Sequence, residues 1–294
     1  MSGTYYLKKA MKDPQFVIFL ILAVVLILVP VFAPFVAPND PIEPDYSNLL
    51  IDHSAKYPLG TDEIGRCMLS RLIYGGRTSL LIVFVVILIS SVIGVVLGIL
   101  AGYAGGKVDM LISRITDIFI AVPQTVFVIA LVSVLGSSLK NTILAMSLVS
   151  WTEYCRVTRA LVLSLKENPY VEEGRLGGMN EFQIILKLIL PNVFPYLLVN
   201  ITQDIGAQLL TLSGLSLLGL SSQPPTPEWG AMLSGGRKFI QANPRMIMYP
   251  GLTIVMNVVV FNLLGDALRD VLDPRFVKKK HHFRRMREWL NKTE

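Results

Sequence analysis

Long apolar runs separated by short polar segments dominate this sequence. Six runs are long enough to cross a membrane, because a helix needs about 20 apolar residues to span a hydrocarbon core about 30 Å thick. They cover Phe16–Val36, Ser79–Tyr103, Ile115–Gly136, Asn141–Leu163, Ile184–Leu220 and Met246–Leu268. The fifth is too long for one straight span, and we expect Pro191 and Pro195 to mark its start near the interface. The pattern predicts an all-α, polytopic membrane protein with six transmembrane helices.

Composition supports this class, and the runs divide the chain into segments. Hydrophobic residues make up 52% of the 294 residues and charged residues only 16%, whereas a soluble domain carries about 25% charged residues. We expect an N-terminus at 1–15, a first transmembrane helix at 16–36, an outer segment with a surface helix at 37–78, a core of five transmembrane helices at 79–268 and a basic tail at 269–294. Within the core, 164–183 forms an inner loop and 221–245 an outer loop.

The distribution of lysine and arginine sets the expected orientation. If the N-terminus is inside, most of the 27 basic residues also lie inside, as the positive-inside rule favours. Both termini and the charged loop Lys166–Lys187 are then cytoplasmic. The net charge of +6 is therefore mainly a topology signal, although the basic tail could attract anionic lipid. Nucleic acid is a poor explanation, because the basic residues adjoin a membrane span.

Two outer segments carry turn and capping signals. Thr61 or Asp62 could cap a helix that lies on the outer membrane surface and ends at Gly75–Gly76 before the second span. We expect this block to be structural, with direct substrate contact as the alternative. Between the fifth and sixth spans, several prolines precede Trp229, a combination that suits a reentrant cap over a pore mouth and a stiff connector equally well.

Polar side chains inside the predicted spans are candidates for a path through the membrane. An ionised residue at the bilayer centre costs about 2.5–3.5 kcal/mol, so such residues usually face water or another helix. Asn200, Asp204 and Gln208 recur every four residues and share one helical stripe, which we expect to line a translocation path or the seam with a second membrane subunit. Glu153 and Asp266 lie near helix ends, where we expect ion pairs with neighbouring arginines.

Glycine and proline mark two further features of the spans. Gly94, Gly98 and Gly102 fall four residues apart on the second span, which predicts close approach of another helix. Pro123 interrupts the third span, and a proline kink suits a gating hinge and fixed packing equally.

Catalytic and metal-binding patterns are missing from the sequence. It contains no HExxH and no GxSxG, and the glycines before Lys107 lack both the spacing and the following Ser or Thr of a phosphate-binding loop. We therefore expect the chain to bind no cofactor and not to hydrolyse ATP. Cys67 and Cys155 are predicted on opposite sides of the membrane, where they act as small apolar packing residues.

The charged loop Lys166–Lys187 carries the most informative spacing. Glu172 is followed by Gly178 after six residues, and Leu190 with Pro191 comes twelve residues after the glycine. An amphipathic connector would explain the charge alone. The spacing, however, resembles the EAA loop of ABC importer permeases, which in that family forms a short cytoplasmic helix seated in a groove of a separate ATPase.

The sequence departs from the EAA pattern at three positions. Glu173 and Gly174 replace the two alanines, and Leu188 replaces an isoleucine. Glycine costs a helix interior about 1 kcal/mol relative to alanine. We expect a helix that is weak alone and ordered mainly by its partner.

Other blocks extend the resemblance over most of the chain. The segments Leu59–Leu80, Ala101–Asp117, Leu212–Gly230 and Gly265–Arg275 are similar to those of the "C"-type permeases of oligopeptide, dipeptide and nickel ABC importers. The resemblance implies a type I importer permease fold in a bacterial or archaeal cytoplasmic membrane. It also implies a homologous "B"-type permease, two ATPase subunits that bind ATP and Mg, and an extracellular or periplasmic binding protein as partners.

Two other functions remain as alternatives. A secondary transporter or channel would need no ATPase, but the sequence has no evident inverted repeat and few buried acids for ion coupling. A membrane-embedded enzyme would need a catalytic set, which the sequence lacks. Among importers, peptides, nickel, other metal chelates and opines are all open as substrates.

Overall fold

The computed structural model describes residues 10–272 and is built from helices. They are α1 (Pro14–Val31), α2 (Met68–Ala104), α3 (Gly106–Ile120), α4 (Gln124–Leu135), α5 (Leu139–Lys166), α6 (Pro169–Leu176), α7 (Glu181–Leu217), α8 (Trp229–Gly236) and α9 (Arg245–Leu272). One further turn, Ala33–Val36, follows α1, and a 3-10 turn, Arg237–Phe239, follows α8. Between residues 10 and 272 no strand forms, and one isolated bridge joins Thr61 to Cys67. The all-α prediction is confirmed.

All six predicted spans fall on helices, but the count of six is not confirmed. Within the described residues, α1, α2, α7 and α9 are long and apolar enough to cross a membrane, and the bent pair α3 and α4 could add a fifth span. The predicted fourth span is α5, which has 28 residues but lacks the apolar composition of the others. Its length suffices for a crossing, and its polar residues need another helix or water to face. The tail beyond Leu272, including most of 269–294, lies outside the described residues, as does most of 1–15.

The predicted third span, Ile115–Gly136, is sharply bent, because α3 and α4 meet at 83°. Pro123 stands at the N-cap of α4 and has no backbone N–H with which to continue the ladder from α3. Phe119 packs across the bend, with ring centroids 5.4 Å from Phe127 and 5.8 Å from Trp151. The predicted interruption at Pro123 is therefore confirmed, and aromatic packing holds the bend in this conformation.

The expected break between a surface helix and the second span is wrong. Helix α2 runs unbroken for 37 residues through Gly75 and Gly76. A Cβ atom on Gly75 would lie 3.0 Å from Cδ1 of Trp229, and one on Gly76 would lie 2.7 Å from Cγ of Pro30 and from Cζ2 of Trp229. The two glycines admit an indole and a proline ring to the surface of α2; they do not end the helix.

The predicted glycine ladder packs α2 against α5, the most extensive helix pair in the described structure. Cβ atoms on Gly94 and Gly98 would lie 2.4 Å and 2.6 Å from carbonyl oxygens of α5, and one on Gly102 would lie 2.9 Å from another. No alanine fits at such distances without moving backbone. Close approach at the ladder is confirmed.

An ion cluster fixes the outer segment to α2. The carboxylate of Asp62, 2% exposed, accepts hydrogen bonds from the backbone N–H (2.9 Å) and the Nε (2.7 Å) of Arg66. The Nε of Arg71 lies 3.3 Å from the same carboxylate. The expected cap by Thr61 or Asp62 is wrong, since α2 begins after Cys67 without a side-chain cap. Both side chains have other partners: Asp62 binds the two arginines, and the Thr61 hydroxyl accepts a hydrogen bond from the backbone N–H of Ile51.

The loop between α7 and α9 folds back onto α2. Glu228 is fully buried, and its carboxylate accepts hydrogen bonds from the first N–H groups of α8 and from the Ser79 hydroxyl (3.1 Å). Trp229 is also buried and donates from Nε1 to the carbonyl of Leu72 (2.8 Å). Trp229 therefore fixes this loop to α2 from inside the protein. Whether this loop caps a pore mouth stays a prediction.

Candidate functional sites: the charged loop and a polar cavity

The charged loop folds as a short helix between two long ones. Helix α6 begins with Pro169, whose fixed φ and missing N–H suit a first helical position. It ends at Leu176 with Gly177 as its C-cap, and Gly178 then adopts φ +81°, a conformation that side-chain-bearing residues rarely take. Asn180 and Gln183 form a capping box that starts α7. The sequence prediction of a short helix around Glu172 agrees with this geometry, with the glycine in the turn after it.

One face of α6 is anchored and the other is open. Val171 is fully buried in a small apolar cluster with Ile184 and Ile189 of α7. Glu172 and Glu173 are exposed, and Leu176 is 82% exposed. Leu176 and the two exposed carboxylates form a mixed apolar and acidic surface at the tip of the loop.

Gly174 gives α6 its close contact with α7. A Cβ atom at this position would lie 2.8 Å from Cδ1 of Leu188 and 3.3 Å from Sδ of Met179. Leu190 and Pro191 follow a π-helical stretch at Ile185–Ile189. Proline cannot donate to the carbonyl four residues back, and the wider backbone turn precedes it directly. The predicted loop residues thus lie partly on α6 and partly at the entry to α7.

A hydrogen-bonded network ties this loop to the end of α2. The Tyr103 hydroxyl, one residue before the end of α2, donates to the carboxylate of Glu181 on α7. Arg175 of α6 donates to the same hydroxyl (3.4 Å) and lies 3.4 Å from Glu172 and 3.8 Å from Glu181. Three helices therefore meet at one polar junction beside the open face of α6.

A polar cavity of about 430 Å³ opens between α5, α7 and α9. It is lined by Glu153, Tyr154, Val157, Asn200, Gln203, Asp204, Ala207, Asn262 and Arg269. The α7 members are spaced by three and four residues, so one helical face supplies them. The cavity is large enough for a small ligand.

The structure places two of the three predicted stripe residues on the cavity wall. Asn200 and Asp204 line it, whereas Gln208 is 2% exposed and lies behind them. The amide nitrogen of Gln208 donates to Asp204 (3.1 Å) and to the Ser150 hydroxyl (3.1 Å). The Tyr154 hydroxyl also donates to Asp204 (2.7 Å). Gln208 and Tyr154 thus hold the carboxylate of Asp204 in place.

The expected ion pairs of Glu153 and Asp266 are wrong. In residues 10–272, Glu153 forms no ion pair and its side chain lines the cavity. Asp266 accepts a hydrogen bond from Gln203 (2.8 Å), and Gln203 in turn accepts one from Arg269 (3.1 Å). The Gln203 amide therefore bridges the Asp266 carboxylate and the Arg269 guanidinium.

Two arginines of α5 also differ from that expectation. Arg159 pairs with Asp109 of α3, its Nη2 donating over 2.7 Å to the carboxylate. Arg156 forms no ion pair with a described residue. Sequence distance along one helix misled the prediction, because the actual partner lies across a helix contact.

Sequence reasoning missed Tyr154 as a cavity residue. Its neighbour Glu153 was a candidate, and both line the cavity at the seam between α5 and α7. The available signal was an aromatic hydroxyl in a span, which needs a hydrogen-bond partner when buried.

These features define a class of protein: a multi-span helical membrane protein with a polar cavity between its spans and an exposed short helix between two of them. Residues 94–278 match the model of the family described as binding-protein-dependent transport system inner membrane component, and the chain belongs to that family.

Known relatives support the assignment along most of the chain. The chain is 41% identical over 262 residues to the dipeptide transport system permease protein DppC of Haemophilus influenzae, covering 87% of this chain and 89% of the relative. It is 38% identical over 263 residues to the nickel transport system permease protein NikC of Escherichia coli K12, covering 90% and 95%.

Among solved structures, the fold is similar to a chain of the MetNI methionine ABC transporter in an inward-facing conformation. The TM-score is 0.54 at 21% identity, and the match covers 70% of this chain and 98% of that chain. At this identity the likeness supports the importer permease fold and nothing more specific.

Proposed function

We propose that this chain is the permease subunit of an ATP-driven ABC importer and forms half of a translocation path for peptides or for nickel or another metal chelate. Family membership and relatives named for dipeptide and nickel transport support this function. Its partners are a homologous "B"-type permease, two ATPase subunits and an extracellular or periplasmic binding protein. The ATPases bind ATP and Mg, and this chain binds neither. Both termini face the cytoplasm.

The open face of α6 is the observation that carries the proposal. A short helix held by one buried valine and presenting Leu176 beside two carboxylates is suited to seat in a groove of another protein. Glu172, Glu173, Gly174 and Gly178 form or shape this docking surface. Leu190 and Pro191 join it to α7.

A displacement of α6 could be transmitted to two long helices, α7 and α2. Val171 and Gly174 pack α6 against α7, and the polar junction at Tyr103 joins α6 to the end of α2. ATP-driven closure of the ATPases would displace α6 and shift the equilibrium between inward-open and outward-open states. A partner can shift that equilibrium only if it binds the two states with different affinity.

The polar cavity is the proposed section of the translocation path. Asn200 and Asp204 face it, and Gln208 fixes the orientation of Asp204 from behind. Glu153 adds a second carboxylate without an ion-pair partner among the described residues. The cavity would face the second permease in the complex and complete its wall there.

Substitutions at Gly178 test the docking role. The position has positive φ, and a Cβ atom there would meet nothing within 4 Å. Asparagine tolerates this conformation far better than valine. If only the turn matters, Gly178→Asn keeps uptake and Gly178→Val loses it. If ATPase contact also needs the open space, both variants lose uptake and coupled ATPase activity while membrane insertion stays intact. Normal uptake in both variants would sink the docking role.

Accessibility labelling tests the orientation. Cys67 and Cys155 are both about 1% exposed, so background labelling is low. A Glu172→Cys variant should react with an impermeant maleimide only after the cytoplasmic face is opened. Labelling in intact cells would reverse the proposed orientation and remove α6 from the side where ATP is present.

A further inference from the structure

Arg77 is an exposed cation beside an apolar groove on the outside of the helix bundle. The groove lies between the second half of α1 and the first half of α2 and has a volume of about 420 Å³. Apart from Arg77, every lining residue is apolar, among them Pro30, Leu81, Phe84 and Leu88. The Arg77 side chain is exposed, and its guanidinium forms neither a hydrogen bond nor an ion pair with any residue from 10 to 272.

The dimensions of the groove match one leaflet of a bilayer. Arg77 and Leu88 are separated by about 16 Å along α2, at a rise of 1.5 Å per residue. That length is close to half of a hydrocarbon core about 30 Å thick. Leu88 lies near the middle of the apolar run of α2, so Arg77 falls at the height of the headgroups on the side of the outer segment.

The surroundings indicate that lipid reaches this groove. Only 17% of the apolar window of α1 is buried, and Leu81 and Leu88 on α2 are 58% and 63% exposed. A guanidinium at headgroup height without a partner in the described part of the chain has phosphate as its natural counterion there. The sequence block Leu59–Leu80 includes Arg77, and the proposed transport function gives this residue no role.

We propose that the groove is a binding site for one membrane phospholipid, with an acyl chain along Leu81, Phe84 and Leu88 and the phosphodiester on Arg77. The bound lipid fills the gap between α1 and α2 beside the contact of Gly76 with Pro30. This site is independent of ATPase docking and of the identity of the transported molecule.

Lipid retention tests the assignment of Arg77. The transporter complex is purified in mild detergent from membranes containing phosphatidylglycerol and phosphatidylethanolamine, and retained phospholipid is measured by native mass spectrometry. We expect Arg77→Gln to retain about fivefold less lipid, the scale set by one basic residue at a lipid surface. Arg77→Lys should retain more than Arg77→Gln, since the charge is kept. Arg237→Gln, which removes another exposed cation from the same side of the chain, should match the unmodified complex. Equal retention by Arg77→Gln and Arg237→Gln overturns the proposal.

Photo-crosslinking identifies the occupant without removing Arg77. Leu81→benzoylphenylalanine in the complete transporter should form an adduct with phospholipid. An adduct with another protein subunit, or no lipid adduct, would show that the groove is covered by protein or empty and would overturn the proposal. The result does not depend on whether uptake is active, so failure here leaves the transport function standing.

Discussion

Replacing Gly98 with alanine should separate α2 from α5. The added Cβ would lie 2.6 Å from the carbonyl oxygen of Cys155 and 2.6 Å from Cβ of Thr158. Ordinary carbon–oxygen contacts across helices are about 3.3–3.6 Å, so the backbones must move apart by about 0.7 Å or more. Because a carbonyl cannot rotate away, the strain spreads along the helix pair. Overpacking of this kind costs about 1–3 kcal/mol, and the helix propensity of alanine returns at most about 1 kcal/mol.

Gly214→Ala provides the matched control for this prediction. Gly214 also lies within a long helix, but a Cβ atom there would meet nothing within 4 Å. We expect Gly98→Ala to lower the midpoint of thermal unfolding in detergent by roughly 2–8 °C relative to the unmodified chain, a shift that follows from 1–2 kcal/mol in a chain of this size. Gly214→Ala should leave the midpoint unchanged or raise it. Because unfolding of membrane proteins is often irreversible, all three proteins must be heated at one scan rate. Equal midpoints for the two variants would refute the close-contact argument.

Three further predictions concern the outer segment and the cavity. Asp62→Asn leaves two buried arginines without their shared carboxylate, at a cost of about 3–5 kcal/mol; the outer segment should become sensitive to added protease, and unchanged digestion would contradict the ion cluster. Tyr154→Phe removes one of the hydrogen bonds that orient Asp204, so reconstituted uptake should fall severalfold while basal ATPase activity stays the same, and unaltered uptake would argue against this cavity as the path. The pKa of Asp45 is lowered by the hydrogen bond from the Asn48 side chain and, to a smaller extent, by the one from Tyr57. The contribution of Asp45 to stability is therefore present above the ordinary aspartate pKa and is lost as pH falls through the lowered folded-state pKa. Tyr57→Phe should therefore move the acid-induced opening of the outer segment, followed by proteolysis, to higher pH.

Helix positions were predictable because they depend on local and periodic properties of the sequence. The length of an apolar run fixes whether a helix can cross a membrane, and the spacing of Gly94, Gly98 and Gly102 fixes a single face. The spacing of polar residues on α7 located two cavity residues, Asn200 and Asp204, for the same reason. Each of these inferences needs only the geometry of one helix.

The errors arose where a residue's role depends on a distant partner. Gly75 and Gly76 resemble a helix end, but they accept the Trp229 indole and the Pro30 ring from elsewhere in the chain. Asp62 resembles a helix cap, but it is bound to arginine side chains. In both cases local propensity suggested one role and a tertiary contact imposed another. Neither contact leaves a trace in the spacing of nearby residues.

Two departures from the EAA pattern meet in space, which explains how the loop keeps its helix. Alanine at position 174 would place a Cβ atom 2.8 Å from Cδ1 of Leu188, while the glycine leaves that space free. Leucine carries two δ methyl groups where isoleucine carries one, and Cδ1 of Leu188 is the atom that borders the space left by the glycine. The propensity lost by glycine, about 1 kcal/mol, is thus opposed by burial of leucine carbon, worth about 0.8 kcal/mol for each CH₂. Contact with α7 through Gly174 and Leu188 therefore supports α6 from within this chain, and how much of its order a partner supplies stays a prediction.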